Sequence, residues 1–259
     1  MKIGASTACL CPMYTEDSLA LLLEMGIRQV EIFFNTQSEL DIKFIKEMKR
    51  LLDAYGGEVV SLHPYTSGLE PFMFFSAYKR RFDDMLDAYQ AYFEAAGILG
   101  SRILVLHGDK LQSRLSDEEC FERVAKIVRS GACAGVTVAH ENVNLFRGSD
   151  PDFLRRLREY AGDEMRFVFD IKQAVRSGYD PYDFVQSLGD GVLHVHVNDN
   201  LPDRDCLLPG NGGMDYRRIY DILAENGCDP AWIVEVYRAD FADPAEIAHS
   251  VEYLKKVLL

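Results

Sequence analysis

Two histidines one residue apart, His194 and His196 in GVLHVHVND, stand inside an otherwise apolar run. Alternate side chains of a β-strand share a face, so both imidazoles point one way while Leu193, Val195 and Val197 point the other. Other proton-carrying or metal-binding groups stand in further short runs of strand-like composition. His63 closes EVVSLH, His107 closes RILVLH, Glu141 closes VTVAHE and Asp170 closes RFVFD, while Glu235 lies in WIVEVY and Glu31 in QVEIFF. Buried carboxylates and imidazoles are costly unless they are paired, hydrogen-bonded or bound to metal. Several carboxylates converging on one place repel one another unless a cation stands between them. Glu141, Asp170, His196 and Glu235, from four separate runs, therefore form a donor set suited to a divalent ion. A single strand histidine such as His63 or His107 reads by itself as a structural residue. So do His140, on the opposite face of its run, and His249 in the last helical stretch.

These residues need elements to bring them together. Strand-like runs occur at 2 to 7, 29 to 34, 58 to 63, 102 to 107, 136 to 141, 166 to 170, 192 to 197 and 232 to 237. Amphipathic helical stretches separate them, such as TEDSLALLLEMG at 15 to 26, with Thr15 as the expected N-cap and Gly26 as terminator. SDEECFERVAKIVRSGA at 116 to 132 places Ser116 and Glu119 at capping-box spacing, and 76 to 99 and 243 to 259 also read as helical. Eight strand-helix units with nearly continuous apolar strands predict an α/β fold, a (β/α)8 TIM barrel in a single domain over 1 to 259. A doubly wound sheet would carry a glycine-rich phosphate fingerprint after its first strand, and STACLCPMY has none. In a barrel, the carboxyl ends of the strands build the active face, which is where the polar residues fall.

Composition narrows the partners. The 259 residues carry 28 Lys plus Arg against 41 Asp plus Glu, a formal charge of -13, which is unfavourable for gripping nucleic-acid phosphates. No stretch has the run of roughly 18 apolar residues that a membrane span requires, and the N-terminus lacks a long apolar signal region. The expectation is a soluble cytoplasmic protein whose partner is a small molecule. Assembly into a homo-oligomer is compatible with these features. Cys9, Cys11, Cys120, Cys133, Cys206 and Cys228 are scattered, as expected for reduced thiols. On a strand, Cys9 and Cys11 would share a face, but two sulfurs alone are a weak metal signal.

The motifs AHENV (139 to 143), FDIKQA (169 to 174), HVHVND (194 to 199), LPGNGGMDY (208 to 216) and IVEVY (233 to 237) resemble the xylose isomerase-like TIM barrels. That superfamily includes sugar-phosphate isomerases and epimerases, ketose 3-epimerases, inosose-processing enzymes and apurinic endonucleases. The resemblance implies one divalent ion, manganese, zinc, magnesium or cobalt, held by Glu141, Asp170, His196 and Glu235. It also implies that Glu141 and Glu235 are the catalytic acid/base pair, acting on opposite faces of a small ketose, polyol derivative or sugar phosphate. His63 and His107 resemble positions that contact substrate in the isomerases and bind further zinc in the endonucleases. Lewis-acid chemistry suits this set, because a metal-stabilised enediolate between two carboxylates can be deprotonated on one face and reprotonated on the other. A lyase similar to inosose dehydratase would instead expel a hydroxyl.

Two positions depart from that pattern. Gln173 stands where epimerases and endonucleases have histidine; an amide hydrogen-bonds a hydroxyl but is a poor zinc ligand, which weighs against a trinuclear nuclease centre. Pro202 stands where epimerases have a substrate-binding arginine, leaving Lys172 or Arg204 to serve. With His63, His107 and His194, these complete the candidate substrate contacts. Phe72, Phe74 and Phe75 read either as a water-excluding lid or as packing at the barrel mouth. The PGNGG segment (209 to 213) reads as a turn, with presentation of N–H groups to a substrate oxygen or phosphate as the alternative.

Overall fold

Eight parallel strands pair side by side until the last meets the first. The computed structural model describes residues 1 to 259. Its strands are β1 (Lys2–Ser6), β2 (Gln29–Phe33), β3 (Glu58–His63), β4 (Ile103–Leu106), β5 (Thr137–Glu141), β6 (Arg166–Asp170), β7 (Val192–Val197), β8 (Asp199–Leu201), β9 (Arg204–Leu207) and β10 (Ala231–Val234). They close in the order β1-β10-β7-β6-β5-β4-β3-β2, while β8 and β9 form a separate antiparallel hairpin. The eight expected strands are thus present, joined by helices, and the closed barrel is the observed architecture. The hairpin is an addition that the sequence reading did not contain.

Strand parity divides the core. Outward-facing side chains join the helices in one cluster of 63 buried residues that includes Trp232, Phe169 and Val195. Inside the barrel, Val105, Ala139 and Val168 form a small separate cluster, and Val60, Ala231 and Ile233 form another. Val105, Ala139, Val168 and Ile233 precede His107, Glu141, Asp170 and Glu235 by two residues, so the same parity sends those four side chains into the barrel mouth. Parity also turns His140 outward, as expected: its Nδ1 donates to the Glu141 carbonyl at 3.0 Å, and burial pushes the imidazole down to about 4.

Local signals acted largely as read. Ser116 and Glu119 form both halves of a capping box on the helix Asp117–Cys133. Thr15 is different. It is the first residue of the helix Thr15–Glu24, and its hydroxyl bonds the Phe33 carbonyl and the Asn35 amide instead of capping the helix. The strand expected at 2 to 7 ends at Ser6, and Thr7–Leu10 turn into a 3₁₀ helix, burying Cys9 and exposing Cys11. The two sulfurs therefore do not share a strand face, and all six cysteines are free thiols. Gly4 lets β1 lie close to β2, because a Cβ there would stand 1.7 Å from the Gln29 carbonyl oxygen. No helix is long and apolar enough to cross a membrane.

Candidate active site

Asp170 ends β6 and caps the short helix Ile171–Arg176 through the Gln173 N–H, which fixes its carboxylate at the barrel mouth. The Asn142 side chain clamps the same residue, accepting from its N–H at 2.7 Å and donating to its carbonyl at 3.0 Å. The Asn198 amide donates to Asp170 Oδ1 at 3.1 Å. Glu141 ends β5, His196 lies in β7, and Glu235 follows the last residue of β10, its N–H donating to the Val197 carbonyl at 3.0 Å.

One potential ligand atom from each of Glu141, Asp170, His196 and Glu235 lies within 4.8 Å of the others. His196 Nδ1 is 3.2 Å from Glu141 Oε1, 3.6 Å from Glu235 Oε2 and 3.9 Å from Asp170 Oδ2. Glu141 Oε2 is fully buried and receives no well-directed hydrogen bond. Three carboxylates and an imidazole at this spacing, with a buried oxygen left over, fit a divalent ion.

Electrostatics follows from that crowding. Burial opposes charge on Glu141, but His107 and His196 outweigh it and hold its carboxyl well below the usual range. Burial likewise opposes charge on His196, yet Glu235, Glu31 and Glu141 raise the imidazole well above its ordinary value. Asp170 is pushed up to about 6 by burial, with Lys172 opposing the shift.

The remaining candidates separate. His63 and His107 join the site: their Nε2 atoms are 3.0 Å apart and lie 3.8 Å and 3.1 Å from Glu141 Oε2. Lys172 also joins it, as the ion-pair partner of Asp170 and Glu235. Gln173 is partly committed, since its Oε1 accepts the Asn144 N–H at 3.0 Å and anchors the loop after β5. His194 lies one layer deeper, with no exposed surface, its Nε2 3.3 Å from Glu31 Oε2. It lies on the floor beneath the candidate ligand set. Arg204 stands exposed at the turn of the β8-β9 hairpin and makes no ion pair, so it is not brought to the site.

The loops resolve two further readings. Phe74 and Phe75 are buried in the core and form no lid; only Phe72, 55% exposed with the Lys110 ammonium 4.9 Å from its ring, stands at the surface. The Gly210 and Gly212 N–H groups both donate to Asp199 Oδ2, and Met214 N–H to Oδ1. PGNGG is therefore a turn closed by an internal carboxylate, and those donors are unavailable to a phosphate.

Sequence reasoning assigned no role to two residues that matter here. Glu31 Oε2 lies 3.0 Å from His196 Nε2, and Ser61 donates to the same carboxylate at 2.8 Å. This acid beneath the imidazole holds His196 Nδ1 toward the other candidate ligands; its inward strand parity was the available signal. Arg176, invisible to motif reading, grips Asp205 through two nitrogens and donates to the Tyr237 hydroxyl at 2.7 Å. Beside these lies a cavity of about 200 Å³, lined by Ala8, Cys11, Phe33, Asn35, Val236 and Tyr237 together with Lys172 and Glu235.

A closed parallel barrel with buried acids and imidazoles at the carboxyl ends of its strands defines the class: an α/β barrel with a metal-type donor set. Within it, this chain belongs to the xylose isomerase-like TIM barrel family, whose profile matches residues 19 to 257. An uncharacterized protein of Methanocaldococcus jannaschii is 26% identical over 272 residues, spanning 100% of this chain and 89% of that protein. The solved structure of a D-tagatose 3-epimerase-like protein superposes with a TM-score of 0.82 at 25% identity, covering 100% of this chain and 97% of the other. An inosose dehydratase of Clostridium botulinum is 22% identical over 297 residues, spanning 99% of this chain and 94% of that enzyme.

Proposed function

We propose that this protein is a divalent-metal-dependent isomerase or epimerase of a small ketose or polyol-derived ketone. The observation that carries the reading is the convergence of Glu141, Asp170, His196 and Glu235 within 4.8 Å at the barrel mouth. A bound divalent ion would supply Lewis acidity there, polarising a carbonyl and acidifying the neighbouring C–H. Glu141 and Glu235 come from strands separated in the barrel by β6 and β7, so they approach from different sides. Glu235 borders the cavity and would take a proton from the carbon held there, while Glu141, beside His63 and His107, would return one from the other side. Two such groups suit epimerisation, which needs both faces of the carbon.

Features of the cavity narrow the substrate. At about 200 Å³ it is smaller than the roughly 300–1,000 Å³ of sites for drug-sized ligands and suits a single small sugar. Arg176 is already paired with Asp205, the Gly210 and Gly212 amides are taken by Asp199, and those of Asn211 and Gly213 by backbone carbonyls. Those pairings favour an uncharged sugar over a phosphate ester. A nuclease is disfavoured by the charge of -13 and by Gln173, whose carbonyl oxygen is committed to the Asn144 N–H.

A lyase reading has support of its own. The His63 and His107 imidazoles beside Glu141 offer a proton to a departing hydroxyl, and the inosose dehydratase likeness runs through 99% of the chain. Both readings meet one experiment: Mn²⁺-loaded protein in D₂O with ketopentoses, ketohexoses and inososes. Deuterium next to the carbonyl without loss of water supports the isomerase or epimerase, and a dehydrated product absorbing in the ultraviolet supports the lyase. Absence of both across the panel overturns the proposal. Glu235→Gln should slow exchange by roughly 10²–10⁴-fold.

A further inference from the structure

Lys172 occupies an unexpected place for a substrate contact. It lies in the first turn after Asp170, is 3% exposed, and directs its ammonium to Asp170 Oδ2 at 2.5 Å and Glu235 Oε2 at 2.6 Å. These are the oxygens that approach His196 Nδ1 in the candidate ligand set. One pair of carboxylate oxygens thus serves two cations. A divalent ion bonds carboxylate oxygen at about 2.0–2.2 Å, and an ammonium on the same two oxygens would repel it in a poorly screened interior.

The ammonium has somewhere to go. Lysine is a point charge on a flexible four-carbon stem with three donors, and the cavity of about 200 Å³ adjoins it. The Tyr237 ring, which also lines the cavity, has its centroid 5.8 Å from Nζ and already sits 5.3 Å from the Arg176 guanidinium, a surrounding that tolerates a cation.

We propose that Lys172 is a resident cation exchanged by the metal: its ammonium bridges Asp170 and Glu235 until a divalent ion takes those oxygens, then turns into the cavity as a hydrogen-bond donor to a substrate oxygen. The inference rests on the metal-dependent reading above. It couples loading of the site to completion of the substrate pocket, because the donor is delivered only when the ion is in place. A static structural ion pair would instead keep Lys172 where it is.

Two measurements that need no substrate test the exchange. In the first, EDTA-treated and Mn²⁺-saturated wild-type protein are reductively methylated with formaldehyde, and the peptide carrying Lys172 is followed by mass spectrometry. Labelling should rise several-fold with Mn²⁺. In the second, calorimetric titration of Lys172→Met, which keeps most of the side-chain volume and removes the charge, should show Mn²⁺ bound at least about tenfold more tightly than by wild type. Lys172 as unreactive with Mn²⁺ as without it, or Lys172→Met within about twofold of wild type, overturns the exchange while leaving a metal-binding wild type intact. Failure of both chains to bind Mn²⁺ would remove the metal reading and the exchange together.

Discussion

The Glu31–His196 contact shows how one side chain sets the properties of another. Glu31 has no exposed surface; burial opposes its charge, but His196 and His194 overcome that and hold it well below the ordinary carboxylate range. Its oxygen faces His196 Nε2, leaving Nδ1 toward Glu141, Asp170 and Glu235. Supporting carboxylates of this kind typically alter metal affinity by 10–100-fold. Glu31→Gln should therefore weaken Mn²⁺ binding by about that factor while the far-ultraviolet circular dichroism stays that of the wild type. Unchanged affinity would reduce Glu31 to filling.

Between strands, side chains do the work of backbone ladders. Asn142 ties the end of β5 to the end of β6, and Asp199 gathers the N–H groups of Asn200, Gly210, Gly212 and Met214 into one buried carboxylate. Each orphaned buried donor costs about 1–3 kcal/mol, partly recovered where water enters. Asp199→Ala should consequently lose about 3 kcal/mol in urea unfolding and raise hydrogen exchange across residues 208 to 214. Ser116→Ala, which removes one half of the capping box far from these loops, should cost about 1 kcal/mol and leave metal affinity unchanged.

Across the whole molecule, a buried acid makes stability depend on pH. Glu70 accepts from Tyr89 Oη and the Gly108 N–H, joining the loop after β3 to the end of β4, and burial pushes its carboxyl up to about 7. An unfolded chain ionises this group near 4.5, so between 4.5 and about 7 the folded state holds a proton that the unfolded state has lost. Stability contributed by Glu70 is full below the lower value and declines as pH rises through the upper one, by roughly 3 kcal/mol in all. Glu70→Gln, which imitates the protonated acid, should flatten the denaturant midpoint across that interval. On the proposed metal-dependent reading, an ion bound only by the folded state would add a second global effect: at a hundred times its Kd, Mn²⁺ should contribute about 2.7 kcal/mol, raising Tm by roughly 5–10 °C, and EDTA should reverse it.

The barrel was legible in the chain because nearly continuous apolar strand runs and helix caps are local, and eight of them admit few closed arrangements. Residue type likewise marked Glu141, Asp170, His196 and Glu235, each from a separate strand-like run, as one donor set. Parity says which face a residue takes, not how deep it lies. His194 and His196 share a face, yet only the stagger of neighbouring strands made one a ligand candidate and the other a floor residue. Contacts between residues distant in sequence were decided by tertiary structure alone: Lys172 between Asp170 and Glu235, Arg176 on Asp205, and Phe74 and Phe75 drawn into the core. Their positions depend on where closing the barrel brings two unrelated segments, and no local pattern encodes that distance.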